Sequence, residues 1–256
     1  VYLFFFRDLQ RLDSINCVSW VLLNAPTCCA INSPPLKIAK VEEGAIVWVE
    51  RLSDPRALVD MIPRNALVAF SNVASSDFLS FIQHAKSIPV RRTPLPFHSK
   101  YESEETIGID RLCNIAAIAD EPGYARLVID MGTCIKFDCI NAQNEYLGGS
   151  ISPGIKMRFE SLNTHTEKLP NLSHRLEPWN LIGNSTEGSI LSGVLGGVQL
   201  EIESRIARYE QQFGALKIYL TGGDLNHFDI GQKNHIFVDS NLILSGLNRI
   251  LEYNAK

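Results

Sequence analysis

From Ala125 to the C-terminus the apolar positions fall into a definite order. Arg126 to Asp130, Cys134 to Ile140 and Glu145 to Ile151 are three short, apolar-rich runs of strand length. Met131-Gly132-Thr133 and residues 141–144 join them, and both links are short enough for hairpins. Helical spacing follows from Ile155 to about Thr164 and again from Thr186 to about Phe213, ending before Gly214. Lys217 to Leu220 predicts a strand closed by Thr221-Gly222-Gly223, and His235 to Val238 predicts another. The last element is an amphipathic helix in which Leu242, Leu244, Leu247, Ile250 and Leu251 make one apolar face.

Three antiparallel strands followed by alternating helices and strands is the order of a ribonuclease-H-like half, the unit that actin-like proteins use twice. The front of the chain partly repeats it. Leu36 to Val41 and Ala45 to Glu50 predict a hairpin over Glu42-Glu43-Gly44, and a helix follows with Ser53 or Asp54 as cap and Pro55 in its first turn. A strand (Leu67 to Phe70), a helix (Ser76 to Lys86) and a strand (Ile88 to Arg91) complete the series. A clean first strand ending in a carboxylate is missing: residues 1 to about 30 show no convincing period, and Pro26, Pro34 and Pro35 interrupt what pattern there is. The expected fold is therefore α/β, two ribonuclease-H-like (actin-like) halves with mixed sheets flanked by helices. The expected boundaries are an atypical segment over residues 1–30, an N-terminal domain over 31–123 and a C-terminal domain over 124–256.

Composition narrows the function classes. The 256 residues are 45% hydrophobic and 20% charged, ordinary for a soluble chain, and the formal charge of −4 with only Arg91 and Arg92 adjacent gives no basic surface for a nucleic acid. Val1 to Phe6 is apolar, but Arg7, Asp8, Arg11 and Asp13 interrupt it well short of a signal peptide or membrane span. Cys17, Cys28, Cys29, Cys113, Cys134 and Cys139 show neither a CxxC pair nor zinc-site spacing and read as reduced thiols of a cytoplasmic protein.

The most informative segment is Val128-Ile129-Asp130-Met131-Gly132-Thr133, followed by Asp138. A buried strand that ends in a carboxylate and turns through glycine to a hydroxyl residue presents backbone N–H groups and a cation ligand to phosphate oxygens. A hairpin with polar turn residues has the same sequence. Thr221-Gly222-Gly223-Asp224 also follows a strand, where residues without side chains let a backbone approach a nucleotide, although most such glycine pairs are simply turns. Gly148-Gly149-Ser150-Ile151-Ser152-Pro153-Gly154 lacks GxGxxG spacing and follows a third strand, which excludes a dinucleotide loop. Gly108-Ile109-Asp110-Arg111 precedes an apolar helical run. Asp110 is there either a helix N-cap beside a solvated arginine, or a general base for an acceptor hydroxyl with Arg111 clamping an anion. Thr186 reads as the cap of the long helix, whose Gly188, Gly193, Gly196 and Gly197 imply a close neighbour such as another helix. No histidine is placed for catalysis, and His165 reads as a surface position.

Together these motifs resemble the type III pantothenate kinase family, from about Leu36 to the C-terminus. The elements that carry the likeness are Tyr101 ahead of Gly108-Ile109-Asp110-Arg111, then Asp130-Met131-Gly132-Thr133, the 148–154 segment, Leu162, Thr166, Leu169 and Pro170, Ile182-Gly183-Asn184-Ser185-Thr186, and Thr221-Gly222-Gly223. The resemblance implies ATP-dependent phosphorylation of pantothenate to 4'-phosphopantothenate, the first step towards coenzyme A. It makes Asp110 the base and Tyr101, Gly108, Ile109, Arg111 and Thr186 its companions at the substrate. Gly132, Thr133, Gly222 and Gly223, with Asn32, Ser33 and Lys37, would contact ATP, and Asp130 would bind a monovalent cation, potassium or ammonium. Magnesium would accompany ATP. A homodimer is implied as well, with no nucleic acid and no membrane as partners. The chain departs from the family at the first phosphate loop, which normally reads Asp-x-Gly-Asn-Thr/Ser with a lysine soon after. Here the nearest match is Cys29-Ala30-Ile31-Asn32-Ser33 with Lys37 displaced by one residue. An upstream reading-frame error or a mis-called start is one expectation from that departure. A catalytically impaired relative serving as a binding or transcriptional accessory protein is the alternative function.

Overall fold

The structure is a computed structural model that describes residues 18–24, 36–72, 77–119, 123–173, 178–225 and 235–254. The chain divides into two compact units, one running to Glu121 and resuming at Asn241, the other spanning Pro122–Ser240.

The first unit is built on β1 (Val18–Asn24), β2 (Leu36–Glu42), β3 (Ala45–Leu52), β4 (Leu67–Asn72) and β5 (Lys86–Pro89), in the order β3-β2-β1-β4-β5. β1 pairs antiparallel with β2 and parallel with β4, and β4 pairs parallel with β5. The missing first strand thus exists, inside the segment that shows no period. A strand held on both edges in a sheet covered on both faces reads as a continuous apolar run, as Val21-Leu22-Leu23 does, so alternation is the wrong signature to seek. It ends at Asn24, not at a carboxylate.

The β2–β3 hairpin turns through Glu43 (φ 50°) and Gly44 (φ 79°), the left-handed pair that a tight two-residue turn demands. Two expected helices are shorter than the sequence suggests. After Asp54, whose carboxylate accepts the Arg56 backbone N–H at 2.9 Å, a 3₁₀ turn leads into the single-turn α1 (Leu58–Met61), which stops at Ile62 before Pro63. In place of a helix over 76–86 there is a 3₁₀ turn, Asp77–Ile82, and β5 already begins at Lys86. The turn puts Ile82 into the core beside Leu36, Ile38, Leu58 and Val68. Val90–Arg92, expected to extend a strand, is a further 3₁₀ turn, and the two-residue β6 (His98–Ser99) precedes α2 (Ile109–Ala117).

The chain's last helix, α6 (Leu242–Asn254), belongs to this first unit. It buries Leu242, Leu244, Leu247, Ile250 and Leu251, the face expected from spacing. Gly246 lies so close to the Cys113 carbonyl of α2 that any β-carbon there would overlap it.

The second unit holds β7 (Ala125–Met131), β8 (Cys134–Ile140), β9 (Glu145–Pro153), β10 (Leu216–Thr221) and β11 (Ile236–Val238), in the order β11-β10-β7-β8-β9. β7, β8 and β9 form an antiparallel meander, while β10 joins β7, and β11 joins β10, in parallel. Counting strands from the start of each unit, both sheets read 3-2-1-4-5 with the same polarity, so the two ribonuclease-H-like halves are present. α3 (Ile155–Thr164) and α4 (Thr186–Leu191) lead through a π-helical turn, Ser192–Gly196, into α5 (Gly197–Phe213). The long helix expected over 186–213 is therefore interrupted at its glycines. Gly196 faces the Trp179 ring, where an added β-carbon would stand 2.8 Å from Cζ3, and Gly188 lies against Gly183. The close neighbour is a loop rather than a helix. One face of the sheet packs Leu127, Ile129, Phe137, Ile218 and Leu220 against Val198, Ile202 and Ile206 of α5.

Candidate active site

Alternation along the strands decides what the other face of the second sheet carries. Because Leu127, Ile129 and Met131 point into the α5 core, Asp130 points away from it. Its in-register neighbours are Lys136 on β8 and Thr221 on β10, so three polar side chains form a row across adjacent strands. Asp130 and Thr221 are buried, and Lys136 is partly so. The Lys136 ammonium stands 2.7 Å from Asp130 Oδ2, with the two side chains only 16% and 10% exposed. Two residues further along β8, on the same face, Asp138 accepts a 2.7 Å hydrogen bond from the buried Tyr146 hydroxyl.

At the ends of β7 and β10 the backbone closes on itself. Gly222 has φ +107° and lies so close to Met131 that a β-carbon would collide with its main chain, while the Asp224 N–H donates to the Met131 carbonyl at 3.0 Å. Gly154 is packed equally tightly on the carbonyls of Gly132 and Thr133, and its N–H donates to the Thr133 carbonyl at 3.0 Å. Three loops therefore converge where the expected phosphate contacts lie: Gly132 and Thr133 on one, Gly222 and Gly223 on another, Pro153-Gly154 on the third. Thr133 and Gly223 are exposed at the rim. Glycines at such closely packed turns leave room for a phosphate oxygen to approach the main chain.

In the first unit, Tyr101, Gly108, Ile109, Asp110 and Arg111 lie within one short segment. Gly108 is the N-cap of α2 and its carbonyl accepts the N–H of Arg111 and Leu112 at 3.1 and 3.2 Å. Asp110 is thus inside the first turn, and the capping role open to it from sequence belongs to Gly108. Its carboxylate folds back over Gly108, where a β-carbon would meet Oδ1. A carboxylate in a helix's first turn is favoured by the helix dipole. Arg111, read locally as solvated, is 5% exposed, and its guanidinium lies over the Tyr101 ring at 5.4 Å. That cation–π contact fixes both groups. Lys37 stands on β2 and donates to Asn241 Oδ1 at 2.8 Å. Asn32 and Ser33 lie outside the described residues.

Thr186 is the exposed first residue of α4, and the cap expected of it is supplied by Ser185, whose Oγ accepts the Gly188 N–H at 3.0 Å. Just behind the third loop, Ser152 and Arg158 both reach Glu201 of α5, at 2.7 and 2.5 Å. Burial pushes the Glu201 carboxyl upward, but the hydrogen bonds from Arg158 and Ser152 outweigh it and hold the group below its ordinary value. Burial pushes the Cys139 thiol up to about 12 and the fully buried Cys113 higher still, so both are inert, as the reduced-thiol reading expects. His165 is exposed.

Lys136 is the residue that motif reading passed over. Its signal was a lone lysine inside the apolar run Cys134 to Ile140, two strands' register away from being interpretable. It bears on the cation expected at Asp130. A monovalent cation on Asp130 would share its carboxylate with a fixed ammonium. Two like unit charges about 4 Å apart repel by about 4 kcal/mol at an effective dielectric constant near 20. The residues at Asp130 therefore do not fit an added monovalent cation.

The family model described as type III pantothenate kinase matches residues 56–208. The type III pantothenate kinase of Cytophaga hutchinsonii is 37% identical over 225 residues, which cover 86% of this chain and 95% of that one. The type III pantothenate kinase of Christiangramia forsetii is 46% identical over 161 residues, 62% of this chain and 66% of its own length. Among solved structures, a Baf family protein from Campylobacter jejuni has a TM-score of 0.57 at 21% identity, covering 93% of this chain and 98% of its own, a likeness of fold.

Proposed function

The chain belongs to the type III pantothenate kinase family, and from that premise we propose that it transfers the terminal phosphoryl group of ATP to the primary hydroxyl of pantothenate, giving 4'-phosphopantothenate in the first step of coenzyme A biosynthesis. The observation that carries this reading is the backbone closure of Thr221–Asp224 on Asp130–Gly132, with Gly222 in a conformation and a space that only glycine fills. Such loops bind phosphate through N–H groups that need no reorganisation when the ligand arrives.

In this reading Gly132, Thr133, Gly222 and Gly223 hold the ATP phosphates, with Asn32, Ser33 and Lys37 as further contacts. Magnesium bound with ATP neutralises phosphate charge, which is most of what phosphoryl transfer asks of its site. Asp110 takes the proton of the pantothenate hydroxyl as its oxygen bonds to the γ-phosphorus, and the bridging oxygen leaves with ADP. Arg111, rigidified on Tyr101, offers a fixed cation to the pantothenate carboxylate, with Gly108, Ile109 and Thr186 completing the substrate contacts. A homodimer is part of the proposal, supported by Leu181 and Ile182, which are 77% and 83% exposed in the second unit. A cytoplasmic site of action goes with the reduced cysteines. No helix among the described residues is long and apolar enough to cross a membrane.

The test is ADP release coupled to a mass measurement of the product. Pantothenate-dependent ADP formation, with pantothenate gaining one phosphoryl group, is the expected result. ATP binding without any phosphorylated pantothenate overturns the proposal and leaves the chain a binding module.

A further inference from the structure

We propose that the Lys136 ammonium takes the place of the monovalent cation at Asp130, so that phosphoryl transfer by this chain proceeds without added potassium or ammonium. The inference rests on the kinase reading above and concerns the same site.

Three observations carry it. The ammonium lies 2.7 Å from Asp130 Oδ2. Its placement is set by the sheet, because Lys136 and Asp130 are cross-strand partners in the β7–β8 ladder and Thr221 continues the row on β10. The carboxylate it engages is the penultimate residue of β7, which runs through Met131 and Gly132 into the glycine-crowded loops. A lysine side chain ends in an alkylammonium, which carries the single positive charge of potassium and N–H donors of the kind free ammonium offers. Tethered to β8, it is present at every turnover and does not depend on the concentration of an ion in solution. Lys136 is thus a positioning residue: it fixes Asp130 and supplies charge beside the phosphate loop, with no proton transferred. The same charge repels a second cation from the carboxylate.

The experiment uses the full chain with ATP supplied as its Tris salt, magnesium chloride, and either potassium chloride or choline chloride at equal ionic strength. Two readouts are taken: the rate of pantothenate phosphorylation and the ATP-induced rise in Tm. For the unaltered chain both are expected to be the same, within about twofold, in the two salts. Lys136→Thr is expected to lose on the order of tenfold to a hundredfold in rate in choline chloride and to regain much of it as potassium or ammonium chloride is titrated in. Lys136→Arg, which keeps the charge, should stay independent of potassium.

A tenfold or greater fall in the rate of the unaltered chain in choline chloride overturns the proposal, as does full activity of Lys136→Thr there. If Lys136→Thr does not fold, the salt exchange on the unaltered chain still decides. Absence of phosphorylation in every salt counts against the kinase reading instead. In that case the Tm arm judges Lys136, since an ATP-induced rise that needs potassium overturns its role and an equal rise in both salts upholds it.

Discussion

Asp110 and Asp130 are both carboxylates at the edge of a regular element, yet their surroundings prescribe different work. Asp130 is buried and paired with a lysine ammonium, which suits a fixed electrostatic post. Asp110 is partly open in the first turn of α2, so an acceptor hydroxyl can reach it. Asp110→Asn keeps the shape and the helix but removes the proposed base, and turnover should fall by about 10²–10⁴-fold. The ATP-induced Tm rise should be unchanged, because no ATP contact is altered. A variant that turns over normally removes Asp110 from the reaction. At this scale the sequence located the buried carboxylate before Met131-Gly132-Thr133, but the cation expected on it does not fit beside Lys136. Lys136 was not legible in the same way, since its meaning depends on which residue faces it across a ladder.

At the scale of elements, loops that meet through glycine and a network behind them determine how firmly the proposed phosphate site is held. Gly222→Ala must relieve both a positive φ and an overlap with the Met131 backbone. The left-handed conformation alone costs an alanine about 1–2 kcal/mol. A stability loss of about 2 kcal/mol corresponds to a fall in Tm of roughly 4–8 °C, and the KM for ATP should rise with it. Gly223→Ala is the control: its added methyl meets nothing within 4 Å, so Tm should barely move. Similar Tm values for the two variants would show that the loops do not close as described. Behind the third loop, Glu201 ties β9, α3 and α5 through Ser152, Arg158 and Arg205. Its carboxyl titrates below the ordinary 4.5 because the folded chain favours the charged form. The stabilisation is therefore complete above that ordinary value and is lost as pH falls through the lower folded value. Glu201→Gln should be less stable than the unaltered chain by about 1 kcal/mol at pH 7, with the gap closing as pH falls below the ordinary 4.5. A gap independent of pH would mean the effect is packing, not charge. Element types were mostly readable from period, with two kinds of exception. β1 hides because an interior strand has no alternation to show, and the helix expected over 76–86 gives way to a 3₁₀ turn because its end, Lys86, already belongs to β5.

For the molecule as a whole, the repeated 3-2-1-4-5 sheet was visible in the order of elements, but the membership of the last helix was not. Chain order places α6 after β11 and so with the second half, whereas its contacts place Asn241 onward with the first unit. The reason is local and physical: Gly246 offers no side chain, so the helix can settle against the Cys113 carbonyl of α2, and Leu244, Leu247 and Ile250 are then covered. An apolar face announces that a helix is packed and says nothing about its partner. This arrangement makes the second unit an insertion into the first, with its own core between the sheet and α5. Gly246→Ala separates the two physically, because the added methyl must push α6 and α2 apart at a cost of about 1–3 kcal/mol. Amide exchange should then quicken in α2 and α6 while β7, β8 and β10 keep their protection, as expected when cooperative units open independently. Equal loss of protection in both sets of amides would instead make the whole chain a single cooperative body, and the insertion would be a matter of chain path alone.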